Sequence, residues 1–143
     1  MRHRLVCDVM TCGPVCQAPG ASVRDACRRM AEEQCGSVLI VDQGRLLGIF
    51  TECDAIRRVF ACARDPDRTM LAEVMTRDPD TISPYESLEE AIRRMDEFGY
   101  RHLPVVDGQR VVGMLALRDL PIEELAAMHA ELEYRHAFAE RAW

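Results

Sequence analysis

The feature of this chain that most constrains its fold is an internal repeat with a fixed spacing of 65 residues. Val9-Met10-Thr11 recurs as Val74-Met75-Thr76, and the spacing holds without a gap as far as Asp54 and its match Asp119. Chance does not keep register over so long a stretch. The repeat therefore predicts two similar lobes related by a pseudo-twofold axis, with two related clefts between them.

The size and composition indicate a globular protein whose two halves share one core. The chain has 143 residues, of which 48% are hydrophobic and 29% charged. A single repeat is near the lower size limit for a stable core, so we expect the copies to pack on each other. No apolar run reaches the roughly 20 residues of a membrane span, and the N-terminus lacks the apolar core of a signal peptide. We therefore expect a cytoplasmic protein.

The charge distribution bears on the choice of partners. The net charge of −6 argues against broad binding to nucleic acid or to an anionic membrane. All seven cysteines lie in the first half of the chain, where a disulfide framework is not expected in a cytoplasmic protein. Without a C-x-x-C motif, a zinc site formed by His3, Cys7, Cys12 and Cys16 is a weak hypothesis. We favour the interpretation that the cysteines are small, mostly buried apolar residues.

Each repeat predicts an extended opening, a helix, two strands and a second helix. Ser22 and Ser87 are each followed by an acid three residues later, which is the pattern of a helix N-cap and capping box. Behind these serines, apolar residues recur at the spacing of one buried helix face. They are Val23, Ala26, Cys27 and Met30 in the first copy, and Leu88, Ala91, Ile92 and Met95 in the second.

Two apolar runs separated by turn residues predict a hairpin in each copy. The runs are residues 38–41 and 45–50 in the first copy, and residues 103–106 and 110–115 in the second.

A helix from Glu52 to about Ala63, capped by Thr51, should follow the first hairpin. Residues 63–68 should break this helix and form a linker. After the second hairpin, Pro121 suits the first turn of a helix that runs to about Glu140. We interpret the two histidines of that tail, His129 and His136, as solvated or interfacial.

The stretch from Gly48 to Asp54, G-I-F-T-E-C-D, is the sharpest candidate for a binding site. A strand ends there and a helix begins, so the Thr51 hydroxyl and the backbone N–H groups could bind an anion. Asp54, about one turn further on, could accept hydrogen bonds from both hydroxyls of a ribose, as an acid does in dinucleotide folds. The alternative is that Thr51 and Asp54 only cap the helix.

The repeat resembles a CBS domain in three motifs. These are the V-M-T opening, the hairpin V-V-D-G-x-R-V-V-G, and the junction of strand and helix G-h-x-T-x-x-D (h is an apolar residue), which we call the corner. Two copies in tandem resemble a Bateman module of the stand-alone bacterial type, over about Asp8 to Leu120. The resemblance implies an α/β (α+β) fold of two βαββα repeats, packed through their sheets about a pseudo-twofold axis, with a C-terminal helix. We expect CBS domains at residues 8–63 and 73–127, a linker at 64–72 and a helical extension at 128–143.

The resemblance implies a regulatory module, not an enzyme. Such modules commonly bind AMP, ADP, ATP, NAD or S-adenosylmethionine and often form homodimers, so we expect a sensor of energy or redox state that acts on an unidentified protein. We expect no catalytic residues, no metal site and no catalytic cofactor. Two alternatives remain: a ligand-free scaffold for protein interaction, and a thiol or metal enzyme built on the cysteine-rich half.

The resemblance also assigns roles around the first corner. Asp54 would contact the ribose, Thr51 the phosphate and Ile49 the adenine, while the second V-M-T segment and a basic pair complete the site. The predicted site residues are Ile49, Thr51, Asp54, Val74, Met75, Thr76, Arg101 and His102. The alternative for the basic pair is that Arg101 pairs with a surface acid and His102 covers a strand edge.

The mirror site should be weaker. Its predicted residues are Met10, Thr11, Ser37, Met114 and Asp119. Ala116 replaces the corner hydroxyl, and Gly36-Ser37 replaces the basic pair, so we expect this site to lack both the hydroxyl and the positive charge. Each charge-assisted phosphate contact is worth roughly 1.5–3 kcal/mol, so the mirror site should bind phosphates weakly, bind a neutral adenosine group, or stay empty.

Overall fold

The computed structural model describes residues 4–121, 123, 125–127 and 130, and it has a mixed α+β fold. The strands are β1 (Thr11–Cys12), β2 (Cys16–Gln17), β3 (Ser37–Asp42), β4 (Arg45–Thr51), β5 (Thr76–Arg77), β6 (His102–Asp107) and β7 (Arg110–Ala116). The helices are α1 (Val23–Glu33), α2 (Glu52–Asp54), α3 (Leu71–Val74) and α4 (Leu88–Phe98), with 3₁₀ turns at Val6–Asp8 and Leu117–Asp119. One sheet has the order β2-β3-β4-β5 and the other β1-β7-β6, and we call the halves built on them the first and second lobes.

The two predicted hairpins form, and they have matching irregularities. Strands β3 and β4 pair antiparallel with a bulge after Ile40, and β6 and β7 pair antiparallel with a bulge after Val105, which is 65 residues later. The turns contain Gly44 and Gly108, both with positive φ (76° and 64°). The predicted relation between the two halves is therefore confirmed down to the position of a single bulge.

The segments that open the repeats, residues 4–12 and 69–77, are exchanged between the lobes. Thr11 of β1 pairs with Met114 of β7, and Thr76 of β5 pairs with Ile49 of β4. Each sheet is thus completed by a strand from the other repeat. We call these two stretches the opening segments.

Close contact with the opening segments requires glycine in both neighbouring strands. A Cβ atom at Gly48 would lie 2.6 Å from Sδ of Met75, and one at Gly113 would lie 2.7 Å from Sδ of Met10. A Cβ at either glycine would also lie within 3 Å of a backbone carbonyl oxygen of the opening segment. The absence of a side chain at these two positions therefore lets each opening segment approach its sheet.

The hydrophobic cores show the same exchange. Val6 is fully buried in the core of the second lobe beside Leu88, whereas Leu71 and Val74 are buried in the core of the first lobe beside Phe50. Burying one such aliphatic side chain stabilises the fold by roughly 1.5–3 kcal/mol. Each lobe therefore depends on the other repeat for part of its core.

A third cluster joins the lobes through their sheets. Leu39, Ile49 and Met114 are buried together, with Val41 and Val111 packed around them. The prediction that the two copies pack through their sheets is confirmed by this cluster.

The predicted caps of the long helices are present in part. The Ser22 hydroxyl accepts a hydrogen bond from the Asp25 amide, and the Ser87 hydroxyl accepts one from the Glu90 amide, both at 3.1 Å. The Glu90 carboxylate, which a capping box would direct back to the N-cap, instead accepts hydrogen bonds from two arginines of α4. These arginines lower the pKa of Glu90 to about 2.

The helix after the first corner differs from the prediction in form and length. After α2 the chain continues as a π-helical turn over Ala55–Phe60, and Ala63 then adopts a positive φ of 54°. The predicted helical stretch is therefore confirmed as far as Phe60 but not to Ala63. Single π-helical turns of this kind are frequent at functional sites.

The prediction that the cysteines are mostly buried is wrong. Cys12, Cys16, Cys53 and Cys62 are exposed, the other three are partly buried, and all seven are free thiols. Of the exposed cysteines, Cys12 and Cys16 lie on very short strands, Cys53 lies on α2, and Cys62 lies in the turn after the π-helical stretch.

The predicted C-terminal helix lies mostly outside the described residues. Glu123, Leu125–Ala127 and Ala130 are helical. The remaining residues of the predicted tail, including His129, His136 and Trp143, are not among the described residues, and the same holds for His3. No helix within the described part of the chain is both long and apolar enough to cross a membrane.

Candidate functional site

A cleft lies between the lobes beside the first corner, and we call it the first cleft. Its volume is about 780 Å³, which suits a small organic ligand. It is lined by Gly36, Ile49, Thr51, Glu52, Cys53, Asp54, Arg57, Thr76, Asp78, Pro79, Asp80, Gly99, Tyr100, Arg101, His102 and Pro104. Six of the eight predicted site residues are in this lining, and they come from both repeats.

Thr51 and Asp54 cap α2 reciprocally at the wall of this cleft. Oδ2 of Asp54 accepts hydrogen bonds from the Thr51 backbone N–H (2.9 Å) and from its hydroxyl (3.2 Å), and the Asp54 amide donates to Thr51 Oγ1 (3.3 Å). The alternative interpretation, that these residues cap the helix, is therefore correct as a description of the structure. It does not exclude ligand binding, because both residues also face the cleft.

Arg58, which the sequence analysis missed, connects the corner to an opening segment. Its Nη1 atom donates hydrogen bonds to the carbonyl oxygens of Val74 and Met75, each at 3.0 Å. Its Nε atom lies 3.6 Å from Oδ1 of Asp54, whose side chain is 14% exposed. Arg58 therefore holds the corner acid and the opening segment in a fixed relation. The signal for this role in the sequence was the position of Arg58 one helical turn after the acid Asp54.

The three predicted residues of the second V-M-T segment have different positions. Thr76 lines the first cleft, whereas Val74 and Met75 are buried in the core of the first lobe and are not among the lining residues. Ile49 is 7% exposed and contributes to both the cleft and the cluster between the lobes. The predicted apolar clamp is therefore reduced to Ile49 and Thr76 in this structure.

The predicted basic pair, Arg101 and His102, lines the same cleft. Arg101 is exposed, whereas His102 is partly buried, and a Cβ added at Gly36 would lie 3.1 Å from His102 Nε2. Burial lowers the pKa of His102, and the nearby Arg118 lowers it further, against an opposing effect of Glu52 and Asp119. At neutral pH the positive charge of this pair is therefore carried by Arg101.

The first cleft also contains acids that the sequence analysis missed. Asp78 and Asp80 follow β5 on either side of Pro79, and the Tyr100 hydroxyl donates a hydrogen bond to Asp80. This hydrogen bond raises the pKa of Tyr100. The signal was present in the repeat, where T-R-D-P-D in the second copy stands against T-C-G-P-V in the first.

The second cleft, on the opposite side of the pseudo-twofold axis, has a volume of about 250 Å³. It is lined by Thr11, Cys12, Gly13, Pro14, Val15, Glu33, Cys35, Gly36, Ser37, His102, Met114, Ala116, Arg118 and Asp119. Four of its five predicted residues are in this lining, and the Thr11 hydroxyl lies 3.4 Å from Asp119 Oδ2. Met10 instead packs against the core of the second lobe.

One expectation for the second cleft is wrong. We expected no positive charge there, but Arg118 lines it, at the position that Cys53 occupies in the first copy. An Nη atom of Arg118 donates a 2.6 Å hydrogen bond to the Gln34 carbonyl oxygen at the end of α1. The cleft thus contains an arginine, but that arginine already bonds to the backbone. Ala116 does leave the corner without a hydroxyl.

The comparison with known protein families identifies this fold. A sequence model of the CBS domain matches residues 6–61 and again 71–120, which together make up most of the chain. The chain belongs to the CBS-domain family. As in a CBS pair, it has two such domains in tandem.

Curated relatives of this CBS pair include proteins of very different length. It is 36% identical over 129 residues to the CBS domain-containing protein CBSCBSPB2 of Arabidopsis thaliana, covering 87% of this chain and 24% of that protein. It is 33% identical over 119 residues to the CBS domain-containing protein YhcV of Bacillus subtilis, covering 83% of this chain and 84% of that protein. This chain therefore spans about a quarter of the plant protein but most of the bacterial one.

A solved CBS pair provides a comparison with bound ligands. The CBS domain pair of protein MJ0100, in complex with 5′-methylthioadenosine and S-adenosyl-L-methionine, is 27% identical and has a TM-score of 0.75. The alignment covers 88% of this chain and 98% of that chain. CBS pairs of this architecture therefore include a protein that binds adenosine derivatives.

Proposed function

We propose that this CBS pair is a regulatory module that binds an adenosine-containing ligand in the first cleft. The observation that carries the proposal is the arrangement of Ile49, Thr51 and Asp54 on one wall of the cleft, with Arg101 also in its lining. An apolar side chain, a hydroxyl at a helix start and a carboxylate one turn later suit an adenine, a phosphate and a ribose, respectively. The ligands of the MJ0100 pair support the same class of compound.

Ligand binding at this corner would be coupled to the helix cap. A ribose that donates hydrogen bonds to Asp54 must share a carboxylate that already accepts two from Thr51. Asp54 is also close to Arg58, which contacts the opening segment of the other repeat. Occupancy of the cleft would therefore favour one arrangement of the two repeats, which is how a ligand shifts a conformational equilibrium.

The regulatory output would pass through a homodimer that senses adenine nucleotides (AMP, ADP, ATP or NAD) as a measure of energy or redox state. Ile56 and Phe60, on the helical stretch that begins at the first corner, are 63% and 74% exposed. These side chains offer a second copy an apolar contact directly connected to the ligand-binding corner. The regulated protein would respond to the change in this contact between the two copies.

The test is a thermal-shift titration, confirmed by calorimetry, of the wild type with AMP, ADP, ATP, NAD and S-adenosylmethionine. A ligand at about 100 times its dissociation constant adds about 2.7 kcal/mol of stability. We expect a shift with at least one compound, at one ligand per chain. Asp54→Ala should abolish the shift, whereas the matched variant Asp119→Ala, at the equivalent position of the second cleft, should retain it.

Other outcomes would revise the proposal in specific ways. Two ligands per chain, with one lost in each variant, would show that both clefts bind. Binding that survives Asp54→Ala but not Asp119→Ala would move the site to the second cleft.

The second candidate function is a scaffold that binds a protein without a ligand. It is favoured by the exposed pair Ile56 and Phe60, and by the fact that Thr51 and Asp54 already satisfy each other's hydrogen bonds. A dimer that forms without ligand, together with no thermal shift for any of the five compounds, would select this function. Sedimentation of the wild type and of Phe60→Ser would measure the dimer directly.

A further inference from the structure

The first cleft has an excess of negative charge. Its lining contains four carboxylates, from Glu52, Asp54, Asp78 and Asp80, against two guanidinium groups, from Arg57 and Arg101. The acids come from two segments, since two belong to α2 and two follow β5, and all four line the space that a ligand would fill.

The four carboxylates of this cleft differ in whether a neighbouring group offsets them. Asp54 is offset by Arg58 at 3.6 Å, and Asp80 accepts a hydrogen bond from Tyr100. Among the described residues, neither Glu52 nor Asp78 forms an ion pair within 4 Å. Within the described part of the chain, Arg57 and Arg101 also form no ion pair, so the lining keeps an excess of acids over arginines.

His102 does not correct the imbalance at neutral pH. The charged groups that act on it are Arg118 and Arg101, which disfavour its protonation, and Glu52 and Asp119, which favour it. Its burial is the largest effect and lowers its pKa, so the neutral imidazole predominates. A phosphate group in the cleft would therefore meet a lining of two arginines and four acids.

We infer that the first cleft selects among adenosine compounds by charge, taking those whose 5′ substituent is neutral or positively charged and rejecting triphosphates. ATP brings about four negative charges to the cleft at neutral pH, whereas a thioether brings none and a sulfonium brings a positive charge. Clefts lined by charge of one sign repel ligands of the same sign. This inference rests on the proposed function, and it removes ATP from the ligands considered there.

The test is calorimetry of the wild-type protein with 5′-methylthioadenosine, S-adenosylmethionine, AMP and ATP, at two salt concentrations. We expect one of the first two compounds to bind at least about tenfold more tightly than ATP, since a few unscreened charges at this range account for such a ratio. Raising the salt concentration should weaken binding of S-adenosylmethionine and strengthen any binding of ATP, because salt screens attraction and repulsion alike.

Charge-removing variants test the cause. In the double variant Asp78→Asn, Asp80→Asn, the affinity for 5′-methylthioadenosine or S-adenosylmethionine relative to that for ATP should fall by about tenfold. The matched control Asp96→Asn, on the exposed face of α4 away from the cleft lining, should leave it unchanged. The salt experiment uses the wild type, so it tests whether charge determines the choice of ligand even if the double variant does not fold.

The results separate this inference from the proposed function. If ATP binds the wild type most tightly and Asp54→Ala abolishes that binding, the inference is overturned and the proposed function stands. If none of the compounds binds, both are overturned. An unchanged preference in the double variant would overturn the assignment of selectivity to Asp78 and Asp80.

Discussion

The two clefts occupy equivalent positions in a duplicated scaffold, but their linings have little chemistry in common. Where the first cleft has Asp78-Pro79-Asp80 and Tyr100-Arg101-His102, the second has Gly13-Pro14-Val15 and Cys35-Gly36-Ser37. The corner acid is present on both sides, whereas the corner hydroxyl is present only in the first. The duplication thus provides two related cavities, of which the first has four acids and two arginines in its lining and the second has two acids and one arginine.

What the two halves retain in common is the set of positions that hold the opening segments. Gly48 and Gly113 both receive an opening segment at close range, and each hairpin has a bulge at the same point. By contrast, Arg58, which bonds to an opening segment in the first lobe, matches Glu123 in the second. The contacts of the backbone are therefore shared between the lobes, whereas most of the side chains that line the clefts, apart from the corner acid and the threonine of the opening segment, are not.

The largest effect should come from adding a side chain at the two shared glycines. Gly48→Ala places a methyl group 2.7 Å from the Thr76 carbonyl oxygen, and Gly113→Ala places one 2.9 Å from that of Thr11. We expect each variant to lower the free energy of unfolding by about 2–3 kcal/mol, as overpacking does.

Urea unfolding at equilibrium would measure these changes. Gly20→Ala, where nothing lies within 4 Å of the added Cβ, should change stability by less than about 0.5 kcal/mol and is the matched control. A large loss in one glycine variant and none in the other would break the equivalence of the two lobes.

The next effect concerns the corner hydroxyl. Thr51→Ala removes the N-cap of α2 and should cost about 1 kcal/mol, while Thr51→Ser should retain most of that stability. The reciprocal change, Ala116→Ser, gives the second corner an N-cap hydroxyl and should add about 0.5 kcal/mol. Chemical denaturation of the three variants would measure the difference between the corners, and a loss on Ala116→Ser would show that the second corner has no room for the hydroxyl.

A smaller effect is expected where Arg118 replaces Cys53. Arg118→Gln removes the hydrogen bond to the Gln34 carbonyl oxygen, and we expect a loss of about 0.5–1 kcal/mol because the arginine is exposed. Cys53→Ser, at the matching position of the first lobe, should be neutral within about 0.5 kcal/mol. Equal losses in both variants, measured by thermal unfolding, would contradict the assignment of this contact to the second lobe alone.

The smallest effect should appear in the dependence of stability on pH. His102 is partly buried with a lowered pKa, so the unfolded chain binds a proton at this residue more readily than the folded chain does. Its contribution to stability is therefore present above the unfolded pKa of about 6.5 and is lost as the pH falls below it. In His102→Gln this part of the pH dependence should disappear.

Unfolding of the wild type and of His102→Gln between pH 5 and pH 8 would measure that contribution as a difference. The other titrating groups contribute equally to both proteins and cancel. A wild type that becomes more stable relative to the variant as the pH falls would show that His102 is protonated in the folded state.

Local pattern was sufficient to predict the hairpins, the long helices and their serine caps, because each depends on residues that are near in sequence. The internal repeat also allowed the two lobes and their packing to be predicted. The resemblance placed the second V-M-T segment beside the first corner, but the pairing of both opening segments as sheet strands was not predicted, because pairing between Thr11 and Met114 leaves no local pattern. The exposure of the cysteines was missed for a related reason, since burial depends on which distant segments pack over a residue.

The candidate site was predicted best where one short motif contains its residues. Ile49, Thr51 and Asp54 all line the first cleft. The acids Asp78 and Asp80 and the role of Arg58 depend on how distant segments meet, so the sequence alone did not bring them to attention. Comparison of the two copies position by position contained this information, because the copies differ at all three places.

The exchanged opening segments mean that the stretch copied in the gene is not the stretch that folds as a lobe. A chain cleaved between residues 64 and 68 would yield two fragments, each lacking one strand of its own sheet and carrying the strand that belongs to the other. Each fragment would be incomplete alone and complementary to its counterpart. Neither copy can therefore be deleted, replaced or transferred to another protein without leaving an unpaired strand edge in the sheet of the half that remains.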